Sequence, residues 1–410
     1  MEVRERLDRR IAELEPEMVG TLCDLVALPA VSPQDGGLGE GAKAAYLEKK
    51  VLDLGLPPCE RYDAPDPEAP GGVRPNLVVR VPGTGAGRLW FFSHMDVVPE
   101  GDRSLWTQDP FVAQVRDGRV YGRGANDNGQ ELVASLYALK ALRDLDLPPA
   151  FEICLAFVAD EELGSRYGIC HLLDRHPELF SPQDLVLVPD GGNEEGSFIE
   201  IAEKTPFWLE VTVEGKQVHG SRPDLGKNAC RGANELSVAL DRALHRAFPE
   251  TDPLFEPPVS TFEPTRRLPN VANVNTIPGR EVFCFDCRLL PSVHPDAVEG
   301  VVREEIRRLE ETTGLRVTYR FVQKGDPAPP TDAVAPVVER LSRAVKDVLG
   351  KTPRVGGIGG GTCAAFFRVQ GIPAAVWAQE SDTAHMPEEY ADISHLVHEA
   401  RVFARMMRDL

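Results

Sequence analysis

The sequence predicts an α/β protein, a central sheet flanked by helices, interrupted by an inserted ferredoxin-like α+β domain. Three observations lead there. Four short apolar runs, the length of strands buried on both faces, each lead into an acid or a histidine: Arg88 to Ser93 before His94, Ala150 to Ala159 before Glu161 and Glu162, Leu185 to Pro189 before Asp190, and Ala374 to Ala378 before His385. Helical patterns lie between them. The stretch from about Thr205 to Gly325 instead runs strand, helix, strand, strand, helix, strand and carries none of these acidic ends.

Taken in order, the first thirty residues read as an amphipathic helix and not as a secretion signal, followed by a Gly-rich loop and a helix from Ala42 to Leu54. Asn76 to Val81 and Arg88 to Ser93 are strands that the intervening Pro-Gly-Thr-Gly-Ala-Gly would join as a hairpin. Asp127 or Asn128 is placed to cap the helix Gln130 to Asp144. In the insertion, strands are expected at Phe207 to Glu214, Val271 to Thr276, Glu281 to Leu290 and Leu315 to Val322, with helices at Ala229 to Leu244 and Pro295 to Thr313. Val334 to Leu349 is a helix, and Pro353 to Thr362 a Gly-rich strand and turn returning to the main sheet. The catalytic domain is therefore residues 1–205 with 325–410, and the insertion is 206–324.

A chain of 410 residues suits two domains, and a net charge of −19 disfavours nucleic acid and anionic membrane as partners. No apolar run approaches a membrane span, so a cytoplasmic location is expected. The eight cysteines stand in apolar or mixed surroundings, as reduced thiols do. Cys284 and Cys287 fall on opposite faces of one strand, which argues against a metal or redox pair.

Open α/β sheets bind ligands beyond the carboxyl ends of their strands, so His94, Asp127, Glu161, Glu162, Asp190 and His385 converge. Each pattern alone also fits a polar turn; the set fits divalent metal ions. Zinc takes imidazole nitrogen and carboxylate oxygen at ~2.0 to 2.2 Å. Two histidines and three acids, with a shared hydroxide, balance the charge of two such ions, and a further carboxylate is needed to move the proton of the attacking water. With one residue between them, Asp96 and His94 can share a side of the extended chain, so that the Asp96 carboxylate holds the ring.

The runs SHMDVVP, YGRGANDNG, ADEELGS, VPDGG and DTAHMP, in that order, resemble the co-catalytic zinc aminohydrolases that include carboxypeptidase G, aminoacylase, acetylornithine deacetylase and succinyl-diaminopimelate desuccinylase. The resemblance covers essentially the whole chain and implies a zinc-peptidase-like catalytic domain with a mixed sheet, plus an inserted domain serving as lid and dimer contact. It implies two divalent ions, Zn2+ or Co2+, with Asp127 bridging them, Glu162 and His385 completing one site and His94 and Asp190 the other. Glu161 would be the general base and Asp96 the partner of His94. In the insertion, His219 within GKQVHGS is similar to a histidine that reaches the oxyanion across a homodimer interface. Asn275 in NVNTIPG and Arg288 in FDCRLLP are similar to positions that bind a substrate carboxylate, which backbone amides at Gly360, Gly361 and Thr362 can also approach. His219 also fits a solvated loop histidine, and Arg288 an outward strand arginine in a surface ion pair.

The implied activity is hydrolysis of the amide of a small substrate, an N-acyl amino acid or short peptide, with desuccinylase, deacetylase and dipeptidase all open. Two departures bear on specificity. Asn128-Gly129-Gln130 stands where many relatives have a lysine, and Cys363 and Ala365 stand where an acid and an arginine are usual. A non-catalytic amino-acid-binding homologue would have lost metal ligands, and none is lost. A dinucleotide enzyme is disfavoured because neither glycine cluster follows the first strand of a βαβ unit.

Overall fold

The computed structural model describes residues 3–410 and divides them into two compact units. The first runs to Ile201 and resumes at Thr331–Gly356 and Thr362–Leu410; the second is Ala202–Pro330 with Gly357–Gly361. The boundaries at 206 and 324 thus fall inside the second unit.

The main sheet has eight strands in the order Glu60–Arg61, Leu77–Val81, Glu152–Val158, Arg88–His94, Leu185–Gly192, Ala374–Ala378, Phe198–Glu203 and Arg354–Ile358. Its middle four are parallel, so their carboxyl ends share one edge, while the Leu77–Val81 and Phe198–Glu203 strands pair antiparallel and make the sheet mixed. Leu89 to Phe92 is apolar throughout because both faces are covered. Trp90 stacks on Phe92 at 5.3 Å and Phe92 meets Phe367 at 4.6 Å, whereas Phe91 on the other face meets Phe403 at 5.1 Å. Burying each such ring contributes about 1.5–3 kcal/mol, which anchors the strand beneath the histidine.

The expected hairpin does not form. Glu152–Val158 lies between Leu77–Val81 and Arg88–His94, antiparallel to the former and parallel to the latter. The six residues from Pro82 to Gly87 are long enough to step over one strand, and the inserted strand gives both neighbours a buried partner. The N-terminal helix, described from Val3 to Val26, buries Leu7, Ile11, Leu14, Met18, Leu22 and Leu25 at helical spacing; Met1 and Glu2 lie outside the described residues.

The second unit has a four-stranded antiparallel sheet in the order Thr261–Arg267, Arg280–Leu289, Thr205–Glu214 and Arg316–Lys324, with helices Ala229–Ala247 and Pro295–Thr313. Numbering these strands along the chain gives 2-3-1-4, the ferredoxin-like arrangement. The expected strand at Val271 to Thr276 shrinks to a bridge of Thr276–Ile277 with Val218–His219, and Thr261–Arg267 takes its place. That edge strand contains Pro264 and buries only Phe262, so it lacks the alternation that marks a half-buried strand. None of the eight cysteines is in a disulfide.

Candidate metal centre

The shared edge of the parallel strands gathers His94, Asp127, Glu161, Glu162, Asp190 and His385, all in the first unit. Asp127 sits between the two imidazoles and offers each a different oxygen: Oδ1 is 2.8 Å from His94 Nε2 and Oδ2 is 3.0 Å from His385 Nε2. Asp190 Oδ1 lies 3.3 Å from the same His94 nitrogen, and Glu162 Oε2 lies 3.0 Å from His385 Nε2. Glu161 and Glu162 lie in the turn that follows the Glu152–Val158 strand. Glu161 groups with His94 and Asp190 and Glu162 with His94 and Asp127, each set having ligand atoms within 4.8 Å of one another.

The electrostatics are those of an anion-rich pocket. Burial pushes the Glu161 carboxyl well above its ordinary value, reinforced by Asp190; burial also raises Glu162 and Asp190. Asp127 goes the other way, because hydrogen bonds from His385 and His94 outweigh its burial. For His94, burial opposes protonation, yet Asp190 and Asp127 outweigh it and hold the ring well above its usual value. His385 is raised to about 10, chiefly by Asp127 and then Glu162. Among the described residues, no lysine or arginine pairs with any of these four acids.

Two expected local roles differ in the structure. The strand ends at His94, so Asp96 is no longer on an extended chain. His94 Nδ1 is 3.0 Å from the Asp96 main-chain oxygen, while the Asp96 carboxylate, 3.7 Å from that nitrogen, accepts the amides of Glu161 and Glu162 at 3.1 Å each. Asp96 therefore fixes the ring through its carbonyl and the Glu161–Glu162 turn through its side chain. Neither Asp127 nor Asn128 caps a helix. Both lie in non-helical backbone and the following helix begins at Glu131. A Cβ on Gly129 would fall 2.3 Å from the Gly124 oxygen, which is why the chain can fold back so tightly there.

Asn128 and Glu389 hold this loop, a role the sequence does not show: it offers Asn128 as a helix cap or a change bearing on specificity, and Glu389 not at all. Asn128 Oδ1 accepts the His94 amide at 3.2 Å, and its Nδ2 donates to Pro189 O at 2.6 Å and Asp190 Oδ1 at 3.1 Å, tying two strand ends together. Glu389 is fully buried; its Oε1 accepts the amides of Gly124, Asn126 and Asp127 at 3.0 to 3.1 Å, and its Oε2 accepts Arg123. Replacing Glu389 with Ala leaves Arg123 buried and unpaired, which costs about 3–5 kcal/mol. We expect a lowered thermal midpoint and weaker metal retention in that variant, checked by calorimetry and metal analysis.

The profile of Peptidase family M20/M25/M40 matches residues 90–409. An uncharacterized metallohydrolase of Methanococcus maripaludis is 38% identical over 96% of this chain and 99% of its own. The chain belongs to the M20/M25/M40 peptidase family. A succinyl-diaminopimelate desuccinylase of Ruegeria is 27% identical over 94% of the chain and 96% of its own length. An M20 metallo-carboxypeptidase from Sulfolobus solfataricus has the same fold, with a TM-score of 0.75 at 20% identity over 96% of this chain and 100% of that one. This M20-family protein is a metallohydrolase acting on amide or peptide bonds, and its family uses metal ions. Its residues fit such ions: four acids with no lysine or arginine partner among the described residues and two imidazoles aimed at carboxylate oxygens form a borderline-to-hard donor set.

The other sequence candidates lie apart from this cluster in the chain. In the second unit, exposed His219 pairs in register with Thr276 and accepts the Ser221 amide at Nδ1, 3.2 Å away, which leaves its Nε2 free among the described residues. Gly220 N donates to Asn275 O at 2.6 Å, and Asn275 Oδ1 accepts from Asn273 at 2.6 Å. Arg288 pairs with Asp286 and donates to Gly359 O at 3.3 Å, beside Gly360 and Gly361. Thr362 opens the turn before the short helix Ala364–Val369 of the first unit. No helix among the described residues is long and apolar enough to cross a membrane.

Proposed function

We propose that the protein removes the acyl or aminoacyl group from a small substrate that ends in a free carboxylate, using two Zn2+ ions and Glu161 as general base. The observation that carries this reading is Asp127, which presents separate oxygens to His94 and His385 as a bridging carboxylate must. His94 and Asp190 would hold one ion, Glu162 and His385 the other, with Asp127 shared. When bound, the ions supply Lewis acidity toward the scissile carbonyl and lower the pKa of water.

The remaining work falls to the chain. Glu161 accepts the water's proton and returns it to the leaving amine. A buried carboxyl with a raised pKa suits both halves of that transfer. The Asp96 carboxylate, holding the Glu161 amide, keeps the base oriented. His219, its Nδ1 engaged by Ser221, keeps an Nε2–H to offer the oxyanion of the tetrahedral intermediate, in a homodimer joined through the inserted unit. Arg288 and Asn275 receive the carboxylate, with the amides of Gly360, Gly361 and Thr362 alongside.

The likeness to the Ruegeria desuccinylase favours an N-succinyl or similar N-acyl amino acid, and dipeptide hydrolysis by the same groups is the second reading. Assay of the zinc-loaded protein on N-acetyl and N-succinyl amino acids and on dipeptides decides between them; turnover of none would remove both. Replacing His219 with Ala is expected to lower kcat about 10²–10³-fold while metal content stays unchanged. An unchanged kcat would return His219 to the role of a solvated loop residue.

A further inference from the structure

Arg288 is not free to turn. It lies two positions beyond Asp286 on the strand Arg280–Leu289, so both side chains leave the same face, and Asp286 stands directly opposite Trp208 on the neighbouring strand. Asp286 takes the side edge of the guanidinium, with Arg288 Nε 2.7 Å from Oδ1 and Nη2 3.0 Å from Oδ2. Trp208 Nε1 donates to the same Oδ1 at 3.0 Å, and its ring lies 5.4 Å beneath the guanidinium carbon. Nη1 donates to Gly359 O at 3.3 Å. An arginine has five N–H donors; three are used here, and among the described residues Nη1 and Nη2 each retain one. The group is about a quarter exposed, with side-chain accessibility of 27%.

We propose that Asp286 and Trp208 are positioning residues that fix Arg288 as a preset carboxylate receptor. This deepens, and rests on, the reading that Arg288 binds the substrate's carboxylate. A flexible surface arginine would lose rotamer freedom on binding; here that ordering is completed before the substrate arrives. The Arg288–Asp286 pair is also neutral overall, so the carboxylate is selected by the geometry of the remaining N–H groups more than by bulk charge. Trp208 has two functions: its ring supports the guanidinium plane and its N–H fixes the carboxylate that in turn fixes the arginine.

The test compares the N-acyl amino acid turned over best in the panel with its C-terminal carboxamide, using the zinc-loaded full chain and D286N, W208F and R288K. Circular dichroism and metal content verify that each variant is folded. D286N and W208F are expected to raise KM for the carboxylate substrate, D286N by about tenfold, the effect of one charge-assisted hydrogen bond, with kcat unchanged and the carboxamide unaffected. If R288K raises that KM while D286N and W208F do not, the positioning role is overturned and the reading of Arg288 survives. Equal effects on acid and carboxamide would reduce the pair to a structural contact and overturn the proposal. If R288K leaves the acid-to-carboxamide preference intact, Arg288 is not the receptor and both readings fall.

Discussion

Replacing Glu161 with Gln is expected to lower kcat by about 10²–10⁴-fold and leave the metal content unchanged. The side chain keeps its size and loses the carboxylate's charge together with its ability to take a proton. The experiment is informative because Glu161 lies within ligand distance of His94 and Asp190, so geometry alone allows it to bind metal. A base and a ligand differ in what their loss does. If the glutamine variant loses an ion, Glu161 is a ligand and another group must move the proton. If it keeps both ions and full activity, Glu161 has neither role.

The second large effect is expected at Asp127. With one oxygen on each imidazole, it is the one side chain that both proposed ions share. Asp127→Ala should therefore weaken both, by more than the about 10–100-fold that follows loss of an outer partner of a ligand. His385→Ala and His94→Ala should each weaken one ion and spare the other. Titration of the metal-free variants with zinc, followed by calorimetry, separates these outcomes. An Asp127 variant that loses no more affinity than either histidine variant would rule out a bridge.

The strand ends were legible because a doubly covered parallel strand must be apolar along its buried length, so the first acid or histidine after Phe92, Ala159 or Pro189 falls within two residues of the end of its strand. What supports those residues was harder to see. Asn128 and Glu389 act through partners far away in sequence: the Asn128 side chain reaches Asp190, and Glu389 reaches back more than 260 residues to Gly124 and Asn126. Glu389 belongs to a Glu-Glu pair that reads as surface charge, yet its neighbour Glu388 bonds Thr107 near the surface while Glu389 is buried. A glycine-flanked Arg123 needing a buried counter-charge was the one local hint. The Asp96 carboxylate turned away from His94 because its strand stopped two residues earlier than an extended chain required. The hairpin was misread because turn-rich composition marks a reversal without saying whether a later strand will enter between its arms.

The centre of the account is a pair of cations held by two imidazoles and three acids. Metal analysis by inductively coupled plasma mass spectrometry, on full-length protein loaded with zinc and then desalted, addresses it directly when run beside a variant with His94, Asp127, Glu162, Asp190 and His385 replaced. Two ions per chain are expected in the native protein and none in the variant. Native protein that retains no ion, or a variant that retains as many as the native chain, would contradict it.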